Sequence, residues 1–275
     1  MIKISDLNFG YPRQQLLFRD MNVQLSAGHI YGLLGKNGAG KSSLLKNIAG
    51  LVYAKSGRLE VMGYDPAKRH PAMLSDICFI PEEFHLPSLK IGAYIKANAP
   101  FYPRFDERYL EELLKEFDIP LSNKLVDMSY GQKKKFIIAF GLATQARLVI
   151  MDEPTNGLDI PSKAQFRKIM AAALVDERCI IISTHQVRDL DNLIDTVIML
   201  DNSSIALNAS VEEITGKLTF KKVKELDDKV IYAEPALAGF NAMLLNEYGE
   251  ESKLDIELLF NAVISGNSKL KQHFN

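Results

Sequence analysis

Gly35-Lys36-Asn37-Gly38-Ala39-Gly40-Lys41-Ser42 places glycine, lysine and a hydroxyl at the spacing with which a backbone loop wraps phosphate groups. With glycine at about 7% of residues on average, a chance match in a chain of this length has a probability of about 1%. An ordinary glycine-rich turn is therefore a poor explanation. The flanking sequence has the order the chemistry needs. His29-Ile30-Tyr31-Gly32-Leu33-Leu34 reads as a short buried strand, and Ser43-Leu44-Leu45-Lys46-Asn47-Ile48-Ala49 sets apolar residues at helical spacing. Glycines 35, 38 and 40 let N–H groups point inward at phosphate oxygens, and the helix N-terminus adds partial positive charge. In that arrangement Lys41 reaches the β- and γ-phosphates and the Ser42 hydroxyl sits on Mg²⁺. Mg²⁺ keeps most of its waters, so a carboxylate from further along the chain is expected to hold it as well.

The whole chain bounds the setting. Its 275 residues bury a large core, as one large domain or two unequal ones, and 47% hydrophobic with 24% charged residues is ordinary globular composition. A net charge of -1 gives no basic footprint, so nucleic acid is not an expected partner. Cys78 in Ile77-Cys78-Phe79-Ile80 and Cys179 before Ile180-Ile181-Ile182 read as small buried hydrophobes of a reducing compartment. Met1-Ile2-Lys3-Ile4-Ser5-Asp6 lacks the apolar core of a signal peptide, and no apolar run approaches the ~20 residues of a membrane span. Any service to a membrane is expected from the cytosol, through a partner.

Residues 1–34 alternate apolar and polar positions between turns at Gly10-Tyr11-Pro12 and Ala27-Gly28, predicting several short strands, and Gly57–Gly63 predicts another. From about Pro87 to Ala143 the period becomes helical, in Tyr109-Leu110-Leu113-Leu114-Phe117 and Phe136-Ile137-Phe140, as in a helical insertion. Leu148-Val149-Ile150-Met151 and Cys179-Ile180-Ile181-Ile182 are short continuous apolar runs. They predict parallel strands covered on both faces, with a crossover helix over 162–175. Beyond about Thr215 only Val230-Ile231-Tyr232 reads as strand and Leu254–Val263 as helix. The Lys133-Lys134-Lys135 run reads as a solvated helix start. Met62, Met151, Met170 and Met199 read as core filler, and His29, His70, His85 and His273 suggest no metal site.

Asp152 and Glu153 close the first apolar run, at the carboxyl end where open α/β sheets place ligands. There Asp152 is placed to hold Mg²⁺ and Glu153 to polarise a water. His185 follows Ser183-Thr184 at the end of the second run, where a γ-phosphate contact is available.

Together these residues, in unbroken order over about 1–215, resemble the nucleotide-binding domain of an ATP-binding cassette (ABC) transporter. The resemblance implies an α/β P-loop NTPase core with a parallel sheet, an N-terminal antiparallel β subdomain, an inserted helical subdomain (about 87–143) and a small C-terminal accessory segment, 216–275. It assigns Gly35, Lys36, Asn37, Gly38, Ala39, Gly40, Lys41, Ser42 and Ser43 to the nucleotide loop, and Tyr11 to adenine stacking against the alternative of a core aromatic. It makes Glu153, His185 and Lys41 catalytic, and Ser42, Asp152 and Glu82 the metal side. Met128-Ser129-Tyr130-Gly131-Gln132 resembles the family signature Leu-Ser-Gly-Gly-Gln, and Gly157-Leu158-Asp159 the loop after the catalytic glutamate.

Two departures stand out. Tyr130 replaces the first signature glycine, with Ser129, Gly131 and Gln132 retained. In Phe79-Ile80-Pro81-Glu82-Glu83 a glutamate, Glu82 or Glu83 one place on, stands where the family has glutamine, adding negative charge beside phosphates. The implied activity is Mg²⁺-dependent ATP hydrolysis: bound ATP favours head-to-tail pairing with a second nucleotide-binding domain, and hydrolysis removes the γ-phosphate that bridges the pair. The implied partner is an integral membrane transporter subunit, with this chain peripheral on the cytoplasmic face. The tail around Leu254–Phe260 resembles exporter-type cassettes. A soluble assembly scaffold of the same family shares every motif; a two-cassette translation factor fits one cassette poorly. A nucleotide kinase or GTPase leaves Ser129–Gln132 and His185 unexplained.

Overall fold

The protein, described here over residues 1–274 of a computed structural model, is built on three sheets. Strands β1 (Ile2–Phe9), β2 (Phe18–Leu25) and β4 (Ser56–Val61) form an antiparallel sheet in the order β2-β1-β4. The central six-stranded sheet runs β5-β6-β7-β3-β8-β9. Its members are β3 (His29–Gly35), β5 (Ile77–Ile80), β6 (Leu148–Asp152), β7 (Cys179–Thr184), β8 (Thr196–Asp201) and β9 (Ser204–Ser210). All pair in parallel except β9, which pairs antiparallel to β8 at the edge. This is the P-loop NTPase arrangement that the sequence predicts.

The continuous apolar runs are explained by burial on both faces. Ile30, Leu34, Val149, Met151, Ile180 and Ile182 enter one core; their neighbours Tyr31, Leu33, Leu148, Ile150, Cys179 and Ile181 enter the other. The period of two is thus present, but both halves of it are covered. Helix α1 (Lys41–Ile48) and the antiparallel sheet cover one face, with the short α2 (Pro71–Leu74) leading into β5. The other face carries α3 (Ile91–Asn98), α4 (Glu107–Glu116), α5 (Tyr130–Ala143) and the crossover helix α6 (Ile160–Ala173).

The helical insertion is tied to the core by α5. It begins beside α4, whose Asp106 cap and buried Leu110, Leu113 and Leu114 match the predicted spacing. It ends on the sheet, where the α-carbon of Gly141 comes so close to β5 that an added Cβ would lie 2.8 Å from Ile80 Cδ1. The run of three lysines at its start is not uniformly solvated: Lys134 is 0% exposed, because it faces the loop that leaves β5.

After β9 come α7 (Val211–Lys217), β10 (Leu218–Val223), β11 (Val230–Ala236), β12 (Gly239–Leu245), α8 (Ile256–Ile264) and α9 (Ser268–Phe274). The third sheet, β10-β12-β11, contains two strands that the sequence reading lacks. In Leu218-Thr219-Phe220-Lys221-Lys222-Val223 the burial does not alternate, so no period of two reaches the sequence. Both cysteines are buried and unbridged.

Candidate nucleotide site

The phosphate-type loop sits where β3 ends and α1 begins. Gly38 and Gly40 have φ of +81° and +104°, and a Cβ on Gly40 would meet the Phe18 ring at 2.6 Å, so only glycine fits there. No side chain caps the first turn of α1, which leaves its N–H groups to a ligand. Lys41 is buried and folds back, its ammonium donating to the Gly35 oxygen at 2.8 Å and to that of Lys36 at 3.3 Å. Burial pushes its pKa down, against the pull of Glu153, Asp152 and Glu82. That pull puts the three carboxylates within electrostatic reach of the loop. Lys36, Asn37 and Gly38 are exposed, and Ala39 and Ser42 half-buried. Tyr11 stands beside the loop: its hydroxyl is 3.1 Å from Ser43 Oγ, and its ring packs edge-on to Phe9.

The carboxylates lie where adjacent parallel strands end level, Asp152 of β6 pairing with Ser183 of β7. Ser183 Oγ donates to Asp152 Oδ1. Glu153 has φ of +47°, an uncommon backbone for a residue with a side chain, and its N–H is held by the Ser183 oxygen at 3.1 Å. Its carboxylate takes three donors: Thr184 Oγ1 at 3.0 Å, the His185 main-chain N–H at 2.9 Å and His185 Nδ1 at 2.8 Å. The ring proton facing an acceptor is on Nδ1, so Nε2 is left for other contacts.

A third group comes from the insertion. Ser129 caps α5 in a reciprocal pair: Gln132 N–H donates to Ser129 Oγ at 3.2 Å, and Ser129 N–H to Gln132 Oε1 at 3.0 Å. Gly131 lies against the 157–159 loop, where an added Cβ would be 3.3 Å from the Gly157 oxygen. Among the described residues no hydrogen bond joins Ser129, Gly131 or Gln132 to Gly35–Ser42. Glu82 is half-buried, its Oε1 accepting from Asn156 Nδ2 at 2.9 Å, while Glu83 is exposed.

The sequence reading did not pick out Asn156, Gln186 or Lys163. Asn156 Oδ1 accepts from Gln186 Nε2 at 3.2 Å, and Gln186 Oε1 from Lys163 at 3.0 Å, so a polar chain runs from Glu82 to α6. Polar residues in the loops that follow the two apolar runs, Asn156 five places beyond Met151 and Gln186 four places beyond Ile182, were the available signal.

Ser42, Asp152 and Glu82 offer only oxygen donors, the chemistry Mg²⁺ requires.

Comparisons with known proteins show the family of the chain. The family described as ABC transporter matches residues 18–156. The ABC transporter ATP-binding protein YtrB of Bacillus subtilis (strain 168) is 26% identical over 216 residues, covering 78% of this chain and 73% of that protein. A solved structure of an ATP-binding subunit of an ABC transporter superposes with a TM-score of 0.71 at 28% identity, over 78% of this chain and 91% of the other. The dimeric post-hydrolysis structure of the ATP-binding cassette MJ0796 bound to ADP and Pi has the same fold, with a TM-score of 0.66 at 19% identity over 76% of this chain and 98% of that one. With a family match over half its length laid on this constellation, the chain belongs to the ABC transporter family, as a nucleotide-binding domain.

Proposed function

We propose that this chain is the Mg²⁺-dependent ATPase subunit of a membrane transporter, working as one half of a head-to-tail pair of nucleotide-binding domains. The observation that carries the catalytic part is the Glu153 carboxylate, fixed by Thr184 and His185 at the sheet edge that also receives Lys41. In this reading the loop Gly35–Ser43 cradles the phosphates through its N–H groups and Tyr11 stacks on the adenine. Lys41 turns from the Gly35 oxygen to the β- and γ-phosphates. Glu153 accepts the proton of the attacking water, and His185 holds Glu153 through Nδ1 and turns Nε2 to the γ-phosphate, a contact that requires a proton on Nε2 as well. Ser42, Asp152 and Glu82 would hold Mg²⁺, which neutralises charge on the phosphate oxygens. Ser129 and Gly131 serve the nucleotide of the partner domain; among the described residues no hydrogen bond ties them to this chain's own loop.

Residues 1–215 form the nucleotide-binding unit of this reading and 216–275 an accessory unit. In this reading the translocation path belongs to a separate integral membrane subunit, with this chain on its cytoplasmic face; among the described residues no helix is long and apolar enough to cross a membrane. An apolar groove of 820 Å³ where the insertion meets the core, lined by Leu51, Leu74, Phe79, Phe101 and Tyr102, is the surface we assign to that subunit. Leu51 and Phe101 are 47% and 71% exposed there. The export direction is the part of the proposal that rests on the C-terminal segment alone.

The test is Glu153→Gln. It keeps shape and removes the base, so ATP binding persists, turnover falls at least about 10²-fold and an ATP-bound dimer accumulates. Near-normal hydrolysis would refute the assignment. Copurification with an integral membrane protein from detergent-solubilised membranes tests the transporter role; recovery without one favours the scaffold.

A further inference from the structure

Two donors one helical turn apart converge on a single acceptor. The Tyr130 hydroxyl lies 2.9 Å, and the Lys134 ammonium 3.0 Å, from the main-chain oxygen of Glu82. Phe84 stacks on Tyr130 with ring centroids 5.8 Å apart, and the Lys134 ammonium sits 5.5 and 5.7 Å from the two centroids. Positions 130 and 134 share a face of α5, so the helix presents both donors to the same loop. A methionine would fill the space of Lys134 without taking a charge out of water, so packing alone does not account for the ammonium. Its hydrogen bond to the loop and its place over two π faces do.

The two parts so joined have different duties. The loop after β5 carries Glu82 toward Asn156 and this chain's own metal side. The start of α5 carries Ser129 and Gly131, which serve the partner's nucleotide. We propose that Tyr130 and Lys134 are positioning residues that clamp the Glu82 loop to the signature helix, so that the metal side of one ATP site and the signature offered to the other move as one body. The signature tyrosine then has a use that glycine lacks. This inference rests on the dimeric reading above. Without the clamp the signature is offered in its binding geometry for a smaller fraction of the time, and dimerisation needs more ATP.

The test uses the full chain with Tyr130→Phe and Lys134→Met combined, changes that keep volume and remove both donors. Limited proteolysis without nucleotide by a protease that cuts after glutamate is expected to cleave at Glu82 and Glu83 about tenfold faster than in the parent, as losing a charge-assisted bond implies, with little change elsewhere. Unchanged cleavage there overturns the clamp, whatever the chain does with ATP. In a Glu153→Gln background, the double variant is expected to need about tenfold more ATP to dimerise in size-exclusion chromatography, and Tyr130→Phe alone a smaller increase. ATP affinity measured at protein concentrations too low for pairing stays as in the parent. Dimerisation of the double variant at parental ATP levels overturns the coupling and leaves the functional reading intact. Failure of the Glu153→Gln parent to dimerise overturns that reading and the coupling with it, and the proteolysis result alone then decides the clamp.

Discussion

His185 and Glu153 hold each other across two neighbouring strand ends: Nδ1 donates to Oε1 at 2.8 Å, and the main-chain N–H of His185 reaches the same oxygen at 2.9 Å. Thr184 occupies the other carboxylate oxygen at 3.0 Å. A carboxylate held by three donors is fixed in orientation, as the general base proposed above requires, and of these donors only the imidazole can also reach outward. His185→Ala leaves the other two donors in place. It is therefore expected to lower kcat about 10²-fold, with KM for ATP close to wild type, in steady-state ATPase assays. An unchanged kcat would remove His185 from the machinery.

Glu82 is where charge and geometry separate cleanly. Its Oε1 accepts from Asn156, and glutamine offers the same oxygen, so Glu82→Gln alters charge with little change of shape. In the proposed reading this removes a negative ligand and weakens the hold on Mg²⁺ by about 1 kcal/mol, so the half-saturating Mg²⁺ concentration for hydrolysis is expected to rise roughly fivefold. ATP binding in EDTA moves the other way and tightens, because one carboxylate fewer faces the phosphates. Both shifts in the same direction would exclude Glu82 from the metal side.

The fold was legible where one physical rule dominated. Glycines 35, 38 and 40 lead with Lys41 from the end of β3 into α1, and the apolar runs at 148–151 and 179–182 are strands covered on both faces. What escaped was set by tertiary contact. Lys134 reads as one of three solvated lysines, and nothing local says that its ammonium meets the Glu82 carbonyl 52 positions away. Strands β10 and β12 escaped for a similar reason: Lys221 and Lys222 are exposed on the strand that begins with buried Leu218 and Thr219, which erases alternation. The Asn156–Gln186 contact joins loops that the sequence separates by a whole crossover.

Gly57 gives a stability test away from the nucleotide. It has φ of +88°, and a Cβ would lie 2.2 Å from the main-chain oxygen of Asp6, where β1 bulges against β4. The obstacle is backbone, which cannot rotate aside. Gly57→Ala is expected to destabilise by at least about 2 kcal/mol and to lower Tm by roughly 5 °C, with kcat per folded molecule unchanged. Wild-type Tm would mean that the β1–β4 register yields more easily than its hydrogen bonding implies.

The cysteines predict an alkaline limit on stability. Burial pushes the thiols of both Cys78 and Cys179 up to about 12, from 9.0 in an exposed chain. Below pH 9 folded and unfolded chains both carry thiols, and no pH dependence arises from them. Above it the unfolded chain ionises while the folded one does not, so the unfolded state binds fewer protons and stability falls as pH rises, by about 1 kcal/mol per pH unit for each thiol. Urea unfolding of wild type between pH 8 and 10.5 should therefore show a steeper loss than the Cys78→Ala/Cys179→Ala variant. The comparison of slopes, rather than of absolute stabilities, removes the packing cost of the substitutions. An aromatic disulfide reagent at pH 8 should leave both thiols unlabelled in the native protein and label both in urea, because neither is accessible or ionised while folded. Equal slopes, or fast native labelling, would show that the sheet opens around these positions on the timescale of the experiment.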